Sequence, residues 1–390
     1  MTVLKKLLVA FAAVGSLAWA QGPVPSSSVL PAVPAVGKDL NESIIKVPVS
    51  SVEIAELEVT VFRPPGDGPF PTIIINHGKS VGAPRDQNRA RYYSVSREFV
   101  RRGFQVVLPM RRGFAGSQGK YFSAGCDMTA NAQNQSKDIA EVAQWLKTKG
   151  MADKRPLILF GQSYGGLAAV AASTQPGLPV GFIASFAGGL KSTSVSKPCD
   201  WETGLVEAMR NFGEKSRIPM LWFYGENDTF FPPELAQKMH AAFTQTGGRA
   251  DLVAYPAFKQ DAHKMFGDPA GFDIWLPKVL ERLAALGYAT EPKYVLGSEP
   301  RPAASLHAEI DQIEALPLSK PSSKAAYQAF LKRFPPRAFA IGTGGAWGWA
   351  AGADEAVKDA LSSCQKYSSA PCRLYAVDED VVWQKQGELQ

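Results

Sequence analysis

The chain reads as an α/β protein, a mostly parallel central sheet covered by helices on both faces, with a small α+β domain at its C-terminus. Three observations predict this. Short apolar runs rich in β-formers alternate with helical stretches from about residue 43 to residue 288, as strands buried on both faces do. The first two runs follow one another without a helix between them, which fits an antiparallel start to the sheet. Beyond a proline-punctuated stretch, helical and strand-like segments recur around two cysteines.

In order, strands are expected at 43–49, 55–63, 72–76, 105–108, 157–160, 181–186, 220–224 and 252–255. Helices are expected at 91–102, 136–149, 165–173, 233–244 and 272–286. Two stretches, 114–133 and 191–216, read as irregular loops at the carboxyl ends of strands, where ligands bind in open α/β sheets. Residues 289–323 form a linker punctuated by prolines, with a short helix at 305–314. The tail from 324 to 390 then offers a helix at 324–333, a strand at 337–341 and an irregular element beginning at 346–349. A helix at 354–364 and one or two strands within 372–383 complete it.

One pentapeptide carries the chemistry. Gly161-Gln162-Ser163-Tyr164-Gly165 directly follows the apolar run Pro156-Leu157-Ile158-Leu159-Phe160, and a small-residue helix pattern follows it. A nucleophilic serine needs a sharp strand-to-helix turn that exposes its side chain, and small residues two places away let strand and helix backbones approach. The helix start offers the backbone N–H of Tyr164 to a developing oxyanion. A serine hydroxyl also needs a base, and the base an orienting acid. Of four histidines, His263, in a loop after the last strand, is the favoured base. His240 falls in a helix and reads as surface or packing, and His307 reads as solvated. Asp228, after the strand at 220–224, is the favoured acid over Glu226, with Asp200 and Asp261 in weaker strand context. His77-Gly78 ends the strand at 72–76 and shapes a loop for a second oxyanion donor, the N–H of Lys79 or alternatively of Gly78.

The order serine, acid, histidine is that of the α/β-hydrolase architecture. From about residue 44 to 287 the chain resembles an α/β-hydrolase of the dienelactone-hydrolase and prolyl-oligopeptidase-like branch. The resemblance rests on Asn76-His77-Gly78, on Arg111-Arg112-Gly113-Phe114-Ala115-Gly116-Ser117, on the serine elbow, on Gly225-Glu226-Asn227-Asp228 and on His263. Dienelactone hydrolases typically carry a cysteine nucleophile where Ser163 stands, so the resemblance implies fold and hydrolytic chemistry rather than a dienelactone substrate.

Composition narrows the setting. Hydrophobic residues at 45%, charged residues at 20% and a net charge of +6 over 390 residues are ordinary for a globular protein, and no basic patch interleaved with aromatics suggests nucleic acid. Residues 1–20 read as a secretory signal: Lys5-Lys6, an apolar stretch at 7–17, and Ala18-Trp19-Ala20 as a small-x-small cleavage site. That stretch is too short for a comfortable membrane span, so the expectation is an exported, periplasmic or secreted protein. Residues 21–42 read as a Pro/Ser/Ala linker, followed by a catalytic domain at 43–288. In an oxidising compartment four cysteines suggest disulfides, with Cys364–Cys372 the economical local pair and Cys126–Cys199 the remainder. No C-x-x-C spacing occurs and the histidines are scattered, so neither metal nor organic cofactor is expected.

The function expected is hydrolysis of carboxylic esters through Ser163, His263 and Asp228. The alternative within the enzymes is an aminopeptidase or dipeptidyl-peptidase, against which stands the lack of a paired Glu-Glu before the catalytic domain. The alternative of another class is a cell-envelope binding or scaffold protein, in which Trp347, Trp349 and Trp383 would form a binding face; packing in the core is the favoured role for them.

Overall fold

The computed structural model describes residues 35–36, 40–80, 82–191, 199–296, 302–333, 336–351, 356–378 and 380–384. The expected signal at 1–20 and most of the following linker lie outside the described residues. The first described strand, β1 (Ala35–Val36), pairs in parallel with β10 (Val295–Leu296).

Eight strands form the main sheet. They are β2 (Ser43–Val49), β3 (Ala55–Phe62), β4 (Thr72–Asn76), β5 (Gln105–Pro109), β6 (Leu157–Gln162), β7 (Val180–Phe186), β8 (Met220–Gly225) and β9 (Ala250–Tyr255). Their order is β2-β3-β5-β4-β6-β7-β8-β9. The pairs β2/β3 and β3/β5 are antiparallel, and every later pair is parallel. The edge strand β2 alternates half-buried and exposed residues before its buried end, whereas β4, β5, β6 and β8 are buried throughout. That contrast follows from position: strands covered on both faces need apolar side chains at every residue.

Helices α1 (Tyr93–Val100) and α6 (Phe272–Ala285) cover one face, where Phe99, Trp275 and Val279 meet Ile73, Phe160, Phe182 and Phe223. Helices α2 (Met128–Thr148), α3 (Tyr164–Ala172), α4 (Trp201–Lys215) and α5 (Pro233–Gln245) cover the other, meeting Ile74, Leu159, Ile183 and Trp222. The sheet is therefore the middle of three layers, as the sequence pattern required.

Helix α4 corrects one expectation. Residues 191–216 are not one irregular loop, because 201–215 are helical. Leu205, Ala208, Met209 and Phe212 repeat at helical spacing and are buried, and the Asp200 side chain caps the start by accepting from Thr203 N at 3.0 Å. Helix α2 likewise begins within the stretch 114–133, capped by Asp127 on Ala130 N. Each capping aspartate follows a cysteine, and Cys126 and Cys199 are joined. The disulfide thus ties the first turns of two helices on one face. Neither cysteine is among the residues lining the cavity around Ser163.

The C-terminal part contains α7 (Pro321–Leu331), β11 (Arg337–Ile341), β12 (Trp347–Ala351), α8 (Ala356–Gln365), β13 (Arg373–Val377) and β14 (Asp380–Val381). The strands form an antiparallel sheet in the order β12-β11-β13-β14, and Cys364 at the end of α8 is joined to Cys372 before β13. Residues 346–349 were expected to be irregular, yet Trp347 and Trp349 pair with Ile341 and Phe339. Both tryptophans, with Trp383, pack half-buried against the core of Tyr327, Phe330, Phe339 and Tyr375. That core also takes in Ile310, Ile313, Leu316 and Leu318 from the proline-punctuated stretch. The helix expected at 305–314 is absent, leaving one 3-10 turn at Ile313–Ala315. Packing anchors these apolar residues one by one instead. His307, read as solvated, is half-buried, its Nε2 lying 3.2 Å from Ala315 O.

Candidate active site

The sheet delivers four loops to one rim. The turn after β6 carries Ser163, the loop after β8 carries Asp228, the loop after β9 carries His263, and the loop after β4 carries His77, Gly78 and Lys79. All four leave the carboxyl ends of neighbouring or near-neighbouring parallel strands.

Ser163 sits at φ 53°, ψ −122°, a conformation costly for a residue with a Cβ. Its N–H donates to Phe186 O at 2.9 Å and its C=O accepts from Gly166, Leu167 and Gly189, which fix the bend from both sides. The bend demands glycine beyond it. A Cβ on Gly165 would lie 2.1 Å from Asn76 O, so any larger residue would push helix α3 off β4.

Asp228 is the carboxylate that meets the histidine. His263 Nδ1 lies 3.2 Å from both Asp228 oxygens, and Asp228 Oδ1 also accepts from Phe230 N and Phe231 N at 2.8 and 3.0 Å. The Asp228 side chain is wholly buried. A carboxylate there holds the proton on Nδ1 and leaves Nε2 as the basic nitrogen. The rival acids stand elsewhere. Glu226 lines a separate pocket with Pro233 and Gln237, Asp200 caps α4, and Asp261 accepts from His263 N and Thr229 N at the start of the histidine turn. His240 is a packing residue whose Nε2 contacts Ala250 O at 2.8 Å.

The loop after β4 is set by a chain of donors. Arg111 N–H can only donate, so its 3.2 Å contact makes His77 Nε2 an acceptor. His77 Nδ1 then carries the hydrogen and donates to Gly78 O at 2.7 Å. Burial, with the Arg111 charge nearby, holds the His77 imidazole well below its ordinary pKa, so it stays neutral. Gln87 completes the clamp: Nε2 donates to Gly78 O at 3.1 Å and Oε1 accepts from Ser80 N at 2.9 Å. Lys79 is thereby bracketed on both sides. Because the peptide is planar and trans, anchoring Gly78 C=O points the Lys79 N–H the opposite way. Gly78 itself lies against Ser163; a Cβ there would be 3.2 Å from Ser163 Cβ.

Two further residues escaped the sequence reading. Tyr92 OH donates to Gln162 Oε1 at 2.8 Å, and Gln162 Nε2 donates to His263 O at 2.8 Å. The residue before the serine therefore ties the elbow to the histidine loop. Burial pushes the Tyr92 hydroxyl up to about 12, so it remains a donor. Gln162 was visible inside the pentapeptide, but nothing in the spacing marked Tyr92. Behind the elbow, Arg111 is buried between the rings of Phe114 and Tyr164, at 5.4 and 5.5 Å from their centroids, with Nε on Gln135 Oε1. Its neighbour Arg112 pairs with buried Asp138, so the Arg-Arg-Gly stretch braces the loop from below.

Ser163, His263, Gly78, Lys79, Gln162 and Tyr92 face one open cavity of about 690 Å³. Among the described residues no cluster of three His, Cys, Asp or Glu is placed to hold a metal ion, and no helix is long and apolar enough to cross a membrane.

Residues 55–216, which span the elbow, match the family model described as X-Pro dipeptidyl-peptidase (S15 family). The chain has the α/β-hydrolase fold. The chain is similar to the Pyrococcus furiosus esterase Pf2001, at 17% identity and TM-score 0.47 over 64% of this chain and 93% of that one. It is also similar to a putative dienelactone hydrolase from Klebsiella pneumoniae, at 18% identity and TM-score 0.44 over 63% and 98%. The Pyrococcus horikoshii acylaminoacyl peptidase gives 14% identity and TM-score 0.46 over 66% and 43%. No curated protein matches the chain.

Proposed function

We propose that the chain is an exported hydrolase of carboxylic esters. Ser163 attacks the acyl carbon, His263 Nε2 takes its proton and returns it to the leaving alcohol, and Asp228 steadies the imidazolium. The N–H groups of Tyr164 and Lys79 receive the oxyanion. Water then attacks the acyl-enzyme by the same route. The observation that carries this reading is the junction of the Asp228–His263 pair with a strained, half-buried Ser163 that lines the same cavity. Export is supported by the segment at 1–20 and by the two disulfides. The catalytic domain is taken as 43–288, with the C-terminal module drawing its core from about residue 305 onward.

The test is labelling with a fluorophosphonate probe, followed by a panel of acyl esters and aminoacyl amides. Labelling with turnover of esters supports the reading; labelling with turnover of amides alone would replace it. That second reading, a peptidase, is favoured by the family match over 55–216.

The oxyanion assignment makes its own prediction. Gln87→Ala frees the Gly78 carbonyl and Ser80 N–H, so Lys79 N–H loses its aim. Turnover should fall roughly tenfold to a hundredfold, somewhat less than deletion of an oxyanion donor, with KM little changed. A rise in KM at constant kcat would instead make Gln87 a ground-state binding residue.

A further inference from the structure

The cavity that holds Ser163 and His263 is not built from the α/β domain alone. Arg333, Pro336 and Ala351 of the C-terminal module form part of its lining. Arg333 follows α7, and its guanidinium lies over the ring of Trp349 at 5.7 Å. Trp349 and Ala351 share strand β12, so one strand supports the guanidinium and also faces the cavity. The module is anchored to the histidine loop, where Gln260 Nε2 donates to Asp311 Oδ2 at 2.6 Å. A second cavity of about 410 Å³ runs along this junction, and Arg333 lines it as well. Arg333 therefore stands in the partition between the two.

The charges around the catalytic cavity are unequal. Among the described residues its lining holds four cations, Lys79, Arg89, Arg91 and Arg333, against one carboxylate, Asp86. Arg89 and Arg91 both pair with Glu42. Lys79 Nζ rests on the uncharged carbonyls of Ser80 and Gly82. Among the described lining residues positive charges outnumber negative ones, and a cleft in which one sign predominates raises the local concentration of opposite charge.

We infer that the C-terminal module supplies the part of the substrate site that recognises a negatively charged group, with Arg333 as the specificity-determining contact. The preferred substrates are then esters carrying an anion such as a carboxylate away from the scissile bond. A guanidinium stacked on an aromatic ring keeps its edge free, and that edge matches the two oxygens of a carboxylate. This inference rests on the ester-hydrolase reading and gives the appended module a role in it.

Two esters of equal acyl length test it: the mono-4-nitrophenyl ester of adipic acid and 4-nitrophenyl hexanoate. The wild-type protein should favour the adipate ester, and Arg333→Ala should reduce the ratio of the two kcat/KM values roughly tenfold, through KM. Arg333→Lys should keep part of the ratio and Arg333→Glu should invert it. A ratio that stays the same in wild type and Arg333→Ala overturns the inference, whether or not both rates fall together, and leaves the hydrolase reading intact. Absence of turnover of either ester, with Ser163 unlabelled, would bring down the hydrolase reading and this inference with it.

Discussion

Ser163→Ala is expected to abolish both fluorophosphonate labelling and ester hydrolysis in a protein that stays folded. Removing the nucleophile of a serine triad lowers turnover by on the order of 10⁶, leaving only what the oxyanion donors and substrate binding supply. The fold should survive because the bonds that fix the elbow come from backbone groups: Ser163 N to Phe186 O, and Ser163 O from Gly166, Leu167 and Gly189. Alanine keeps those bonds and the Cβ. The variant should therefore match the wild type in circular dichroism and melting temperature while its kcat vanishes into background. Labelling that persists in the folded variant would put the nucleophile elsewhere.

Asp228→Asn is expected to give the second largest loss, about 10⁴ in kcat. An asparagine amide can donate to His263 Nδ1, which favours the tautomer with its hydrogen on Nε2 and removes the base from the serine. The substitution also disturbs a buried oxygen that accepts from Phe230 N and Phe231 N, so some loss of stability should accompany it. Glu226→Gln supplies the contrast. Glu226 faces the pocket of Pro233, Ala236 and Gln237, so its loss of charge should change kcat by less than about threefold by the modest scale of surface electrostatics. The reverse ranking, read from kcat on one ester, would reassign the acid.

What the sequence disclosed follows from how local each signal is. The elbow is a five-residue motif between a strand and a helix, so neighbours along the chain identify it. The strands β4, β6 and β8 were readable because burial on both faces makes their apolar runs continuous. Helix α4 was hidden because Gly204 and Gly213 interrupt its pattern, and the packing of Leu205, Met209 and Phe212 outweighs them. Strand β12 was hidden because half-buried tryptophans beside glycines mimic a loop; its pairing with β11 decides its form. The site divides in the same way. Ser163, His263 and Asp228 follow strands in a recognisable order, whereas Gln87 and Gln162 act through partners that folding brings to them. Arg333 is further still, 170 positions beyond the serine whose cavity it lines (333 − 163).

The backbone at Ser163 also sets a ceiling on the whole protein. A side-chain-bearing residue held in such a conformation costs about 1–3 kcal/mol, and glycine would not incur that cost. Glycine's extra freedom in the unfolded chain offsets about 0.5–1 kcal/mol of the relief. Ser163→Gly should therefore be inert and yet more resistant to denaturant than the wild type, with a higher midpoint at an unchanged slope. A lower midpoint would mean that the elbow is not strained. If the expectation holds, any search that rewards stability alone will drift toward discarding the nucleophile. Only a screen that also demands turnover will keep it.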